Sequence, residues 1–223
     1  MSRDLALFDF DGALTRRDSL LPFLREAIGP LALARALAAS SPWLAGHAFG
    51  LTGNDDARER LLAAALGGRD IEDLRAVGAA FARDGVPRLL RESMMAEVRR
   101  RRDEGRLCIL VGASLDLYLE PWASSEGFDH VICSRLALDA ESRATGALAG
   151  GSCRGREKVR RIYAWLSAQG AIGQGGIGHC AAYARFASDA PMLDMADEAF
   201  WVDAAGAPKP APKPAPRSPA SAA

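Results

Sequence analysis

The stretch LALFDFDGALTRRDS, Leu5–Ser19, decides how the chain is read. A short apolar run ends in two acids separated by one residue, Asp9 and Asp11, and Gly12 follows at once. Leu5–Phe10 has the length and composition of a buried strand. Side chains alternate along a strand, and where the chain leaves it Asp9 and Asp11 can both enter the crevice at the carboxyl end of a sheet, with Phe10 turned back into the core. Two carboxylates so close repel unless a cation lies between them. Mg²⁺ suits the position because it is hard, prefers oxygen ligands and shares them with substrate phosphate. A carboxylate can also attack phosphorus, while a second acid protonates the leaving group and then activates water. Gly12 lets the backbone turn sharply there. The plainer alternative is an aspartate pair that only caps a turn.

Working outward, the pattern from Asp18 to about Glu104 is helical throughout. Asp55 or Asp56 is placed to cap a helix running to Gly67-Gly68. Asp70 is placed to cap another, with Ile71, Leu74, Val77 and Phe81 on one face. Leu90, Met94 and Val98 stripe a third that ends at Gly105. Arg99 to Arg102 reads as a solvated face near that helix's negative end. After Gly105 the period changes. RLCILVGAS reads as a strand ending near Gly112, with Ser114 placed to cap the next helix. HVICSRLAL is a further strand, and RLALDAESRATGALAG forms a hairpin beside it. Arg154 to Ala168 is a helix carrying Lys158, GIGHCAAY a strand, and EAFWV a short last one. Strands alternating with helices predict an α/β fold, a parallel sheet with helices on both faces. The helical block between the first two strands is then a cap inserted after the first strand. The expected division is a core over 1–17 and 105–205, a cap over 18–104, and a disordered Pro/Ala/Lys tail over 206–223.

Composition removes several classes. Lys+Arg and Asp+Glu both number 28, so nothing points to nucleic acid or an anionic membrane. PLALARALAASSPWLAGHAFGL, Pro30–Leu51, is long enough to span a bilayer, but Pro42, Gly46, Gly50 and the Ser40-Ser41 turn signal favour two cap helices and no transmembrane segment. The four cysteines form no C-x-x-C pair, and a strand begins almost at the N-terminus, so a reduced, cytoplasmic protein is expected. GQGGIG, Gly173–Gly178, precedes a strand instead of opening a helix, and reads as a loop. His47, His130 and His179 lack metal spacing. Tyr118, Trp122, Tyr163 and Trp165 read as core aromatics. Oligomeric state is not legible.

From Leu5 to Val202 the chain resembles the haloacid-dehalogenase-like hydrolase superfamily, in its phosphoserine-phosphatase-like branch with a helical cap. FDFDGALTRRDS resembles the family's D-x-D-G-T motif, with Ala13 in place of Thr. ILVGASLDLYLEPWA, CRGREKVRRIYAWL and AAYARFASDAPML resemble the second, third and fourth motifs. The resemblance implies a Rossmann-like core, Asp9 as nucleophile, Asp11 as general acid/base, Lys158 as the neutralising lysine, and Mg²⁺ held by Asp9, Asp11 and Asp189. It implies a small phosphorylated metabolite as substrate, hydrolysed through an aspartyl-phosphate. Two positions depart from it. Gly112 stands where a phosphate-binding hydroxyl is usual, with Ser114 two residues on. Arg185 stands where a metal-binding acid is usual, where it would repel Mg²⁺, pair with Asp9 or Asp11, or grip phosphate. A slid register would instead make Asp189 and Asp194 the metal-binding acids. Two readings follow: a Mg²⁺-dependent phosphatase, or a catalytically impaired relative that keeps phosphate binding or a regulatory role.

Overall fold

The computed structural model describes residues 3–48, 54–170 and 177–212. Strand β1, Arg3–Asp9, lies at the centre of a six-stranded sheet. Its neighbours are β2, Leu107–Leu115, and β6, Ile177–Ala184, both parallel to it. Strand β3, His130–Ser134, extends one side, and β7, Glu198–Val202, extends the other. Strand β8, Pro208–Pro210, pairs antiparallel with β7 and gives the order β3-β2-β1-β6-β7-β8. It falls within the stretch read as the start of the tail. Two prolines are tolerated there because an edge strand can point its missing donors away from the ladder.

Period-two alternation decides which face each β1 residue serves. Ala6, Phe8 and Phe10 pack toward the helices between β1 and β2 and toward helix α5, Asp116–Glu126, after β2, where Phe8 stacks on Tyr183 with ring centroids 4.7 Å apart and Phe10 meets Trp122 at 5.0 Å. Leu5 and Leu7 pack on the opposite face against Ile162 and Leu166 of α6, Arg156–Ala168, and Met192 and Leu193 of α7, Ala190–Asp194. Asp9 follows Leu5 and Leu7 in this alternation and so faces α6.

Among the described residues four α-helices lie between β1 and β2: α1, Leu20–Ala48; α2, Asn54–Leu66; α3, Ile71–Asp84; and α4, Glu92–Asp103. Asp70 caps α3 as expected, accepting from the Glu72 amide at 2.8 Å. The apolar segment after Pro30 is not divided at Ser40-Ser41. Helix α1 is broken earlier, at Gly29 (φ 79°, ψ 162°), and continues through Pro42. No helix among the described residues is long and apolar enough to cross a membrane. His47 has no described side chain, and most of Gly173–Gly178 lies outside the described residues.

The 130–148 region splits into β3, β4 (Leu136–Leu138) and β5 (Ala144–Leu148), the last two forming a separate antiparallel hairpin. This hairpin binds the α2–α3 corner through the backbone. Gly68 N donates to Ala144 O at 2.8 Å, Ala144 N to Arg69 O at 2.9 Å, and Ile71 N to Ser142 O at 3.1 Å. Two expectations are corrected. Arg101 is buried, because its Nε donates to Tyr183 Oη at 2.7 Å and its Nη2 bonds Glu198 at 3.1 Å. Tyr163 is exposed, unlike Tyr118 and Trp122.

Candidate active site

The end of β1 delivers Asp9 to a buried pocket. Asp9 is 4% exposed, Lys158 1% and Asp189 3%. Lys158, on the first turns of α6, reaches Asp9 Oδ1 at 2.5 Å and Asp189 Oδ1 at 2.7 Å. Burial alone would lower the Lys158 pKa, but the two carboxylates outweigh it and hold the pKa above the ordinary value, so the ammonium persists. One ammonium cannot compensate two buried carboxylates fully. Burial therefore raises Asp9 from 3.8 to about 7, against the pull of Lys158 and with the repulsion of Asp189. Asp9 Oδ2 is buried and meets no donor.

After Asp9 the chain turns over Phe10–Leu14, with Gly12 at φ 83°. A Cβ at Gly12 would lie 2.5 Å from Phe186 Cε2, so both the left-handed backbone and the close ring demand glycine. Thr15 closes the turn, its hydroxyl accepting from the Gly12 amide at 3.0 Å. The turn places Asp11 beside Asp9 but engages it differently. Asp11 Oδ1 accepts from the Ser19 amide at 2.9 Å, and Oδ2 accepts a short hydrogen bond from Ser114 Oγ. The Ser19 hydroxyl links Ser114 at 3.1 Å and Tyr118 at 2.9 Å. Burial foremost, and then Asp18, raise Asp11 from 3.8 to about 6, while the two serines oppose the shift.

Ser114 therefore does not cap the following helix. Strand β2 continues to Leu115, and Ser114 is spent on Asp11. The cavity of about 140 Å³ that holds Asp9, Asp11, Lys158 and Asp189 is also lined by Ala113, not by Gly112. A Cβ at Gly112 would meet Phe10 Cβ at 3.1 Å and Leu119 Cδ1 at 3.4 Å, on the core side of the strand. Arg185 also lies off the cavity. Its Nη1 donates to Val202 O at 3.3 Å and Asp203 O at 2.5 Å, and its guanidinium lies 6.0 Å from the Phe186 ring centroid. Asp194 is absent from the lining.

Several lining residues were not singled out in the sequence. Arg58 descends from α2 and donates through Nη2 to Ala113 O at 2.9 Å, while its Nε is buried without a partner. Arg154, Asp18, Phe186 and Ser188 also line the cavity. Only Arg154 had a local signal, four residues before Lys158 in CRGREK. The cavity thus carries four carboxylates and three cations.

No group of three or more His, Cys, Asp or Glu side chains forms a metal cage among the described residues. That is compatible with Mg²⁺, which is commonly held by one or two carboxylates, waters and substrate phosphate. The unpartnered Asp9 Oδ2 and the acidic excess fit such an ion.

A carboxylate at the tip of the central parallel strand, ion-paired to a buried lysine beneath inserted helices, places the chain among α/β hydrolases. The chain belongs to the haloacid dehalogenase-like hydrolases, whose family sequence model matches residues 6–194. It is 34% identical over 198 residues to Protein CicA of Caulobacter vibrioides, covering 87% of this chain and 83% of that protein. A Bordetella pertussis Tohama I protein of unknown function superposes with a TM-score of 0.73 at 25% identity, covering 90% of each chain. A phosphoserine phosphatase solved as a phospho-aspartyl intermediate analogue superposes at 0.60 with 16% identity, covering 90% of this chain and 87% of that one, which is a likeness of fold.

Proposed function

We propose that the protein is a Mg²⁺-dependent phosphatase that hydrolyses a small phosphomonoester through an aspartyl-phosphate on Asp9. The observation that carries the reading is Asp9 itself: buried, bound on one oxygen by Lys158, and free on the other. Asp9 attacks phosphorus, and the ester oxygen leaves with a proton from Asp11. Water then attacks the aspartyl-phosphate, returning a proton to Asp11 and releasing phosphate and Asp9. A value of about 6 suits Asp11 to both transfers. Lys158 neutralises charge on Asp9 and the incoming phosphate. Asp9 and Asp189 would hold Mg²⁺, which supplies the charge that lets a phosphate dianion enter an acidic pocket. Ser114 positions Asp11, and the inserted helices supply Arg58 to the phosphate's surroundings. Arg185, turned toward Val202 and Asp203, does not place its charge at the metal position. The four cysteines are free and buried, which suits a reducing cytoplasm.

One observation favours the second reading, phosphate binding without turnover: both Asp11 oxygens are already engaged. Assays with p-nitrophenyl phosphate, with Mg²⁺ or EDTA, separate the two. Turnover that requires Mg²⁺ and vanishes in Asp9→Asn is the expected result. Turnover preserved in Asp9→Asn overturns the mechanism. Phosphate binding with no hydrolysis of any ester establishes the second reading instead.

A further inference from the structure

A second cleft, of about 520 Å³, opens on the inserted helices away from the Asp9 pocket. Its volume lies in the range of about 300–1,000 Å³ usual for small-molecule sites. Phe81, Leu33 and Leu89 form its buried apolar floor, and Leu21, 43% exposed, stands at its rim. The break at Gly29 places Pro30 on its wall. Arg17, Arg25 and Arg88 converge on this cleft from three separate segments, and among the described residues Glu26 is the one acid on its lining. None of the three forms an ion pair among the described residues. On nearby α3, by contrast, Arg75 is matched to Glu72 at 2.5 Å and Arg83 to Asp84 at 2.7 Å. Three unmatched guanidiniums around an apolar floor complement a ligand with one anionic end and one hydrocarbon end.

We propose that this cleft binds a single-chain anionic amphiphile as a soluble monomer. Its hydrocarbon chain lies on Phe81, Leu33 and Leu89, and its headgroup sits among Arg17, Arg25 and Arg88. The bounded volume favours a monomer over a bilayer surface. Among the described residues the cleft has no lining residue in common with the Asp9 pocket. The binding itself stands whether or not Asp9 turns over phosphate.

Decanesulfonate is a suitable probe because it carries chain and charge but no phosphoryl group. Calorimetric titration of the full chain below the micelle concentration should give saturable one-to-one binding. Arg25→Ser/Arg88→Ser, both exposed positions, should weaken it by about tenfold or more, roughly the loss of two charge-assisted contacts in a partly wet site. Leu21→Asp should weaken it too, and Asp9→Asn should leave it unchanged. Each of the following overturns the proposal: no saturable binding, equal binding of decyltrimethylammonium, full affinity in the double arginine variant, or displacement by inorganic phosphate. Sedimentation with anionic vesicles that persists under saturating decanesulfonate, or an acidic peptide binding the cleft in its place, also overturns it.

Discussion

Replacing Asp9 by Asn should stabilise the metal-free protein at alkaline pH, because the native carboxylate is held in a place that disfavours its charge. Its pKa is raised from 3.8 to about 7, chiefly by burial. A group whose folded-state value is raised contributes its stability below the unfolded value and loses it as pH climbs through the folded value. Ionising Asp9 in the folded state, over about three pH units, costs roughly 4 kcal/mol by pH 8. The amide keeps the shape and can still accept from Lys158, but Lys158 then has one carboxylate partner instead of two. That loss is already contained in the folded-state value of about 7, so the net gain should be about 4 kcal/mol at pH 8, or about 8–16 °C in Tm for a chain of this size. Thermal unfolding followed by circular dichroism in EDTA should give matching Tm values near about pH 4, a gap that opens between there and about pH 7, and a plateau above. Saturating Mg²⁺ should close the gap, since an ion bound to the native carboxylate stabilises only the wild type. A gap independent of pH, or a variant less stable at pH 8, would refute the claim that burial dominates at Asp9.

Lys158→Met should be far more damaging than any exposed lysine change. It leaves Asp9 and Asp189 buried without their ammonium, and urea titration should read a loss of about 3–5 kcal/mol. A loss below about 1 kcal/mol would mean that the pocket is wet. Arg185→Ala should keep kcat/KM for p-nitrophenyl phosphate within about twofold, and a fall of tenfold or more would show that the guanidinium engages phosphate. Gly146→Ala should destabilise by about 1–3 kcal/mol, because Gly146 has φ 90° and an added Cβ would overlap the Ala63 backbone on α2. Scanning calorimetry should show the loss, and a Tm equal to wild type would mean that the hairpin stands clear of α2.

The features legible in the sequence were those carried by local pattern. The apolar run ending in D-F-D-G gave β1 and its acids, and alternation then assigned Asp9 and Phe10 to opposite faces. The period change at Gly105 marked the return from the inserted helices to the sheet. What stayed hidden depends on partners far away in the chain. Arg101 looks like one of four solvated arginines until Tyr183 and Glu198, more than eighty residues on, close around it. Ser114 looks like a helix cap because its true partner, Asp11, lies 103 residues earlier. The family resemblance sets Gly112 at the phosphate, directly after a strand read as ending there. With β2 running to Leu115, the strand's alternation turns that position toward Phe10. Arg58 has no local signature, since only the seating of α2 over the sheet brings it to Ala113.

The hairpin that shares its backbone bonds with the α2–α3 corner makes lid and floor a single fastened assembly. Arg58 Nη2, donating to Ala113 O at 2.9 Å beside the Asp9 pocket, is a second tie between the inserted helices and the sheet. A chimera that exchanges the inserted helices must therefore carry residues 136–148 with them, or the new helices will be seated on the wrong latch.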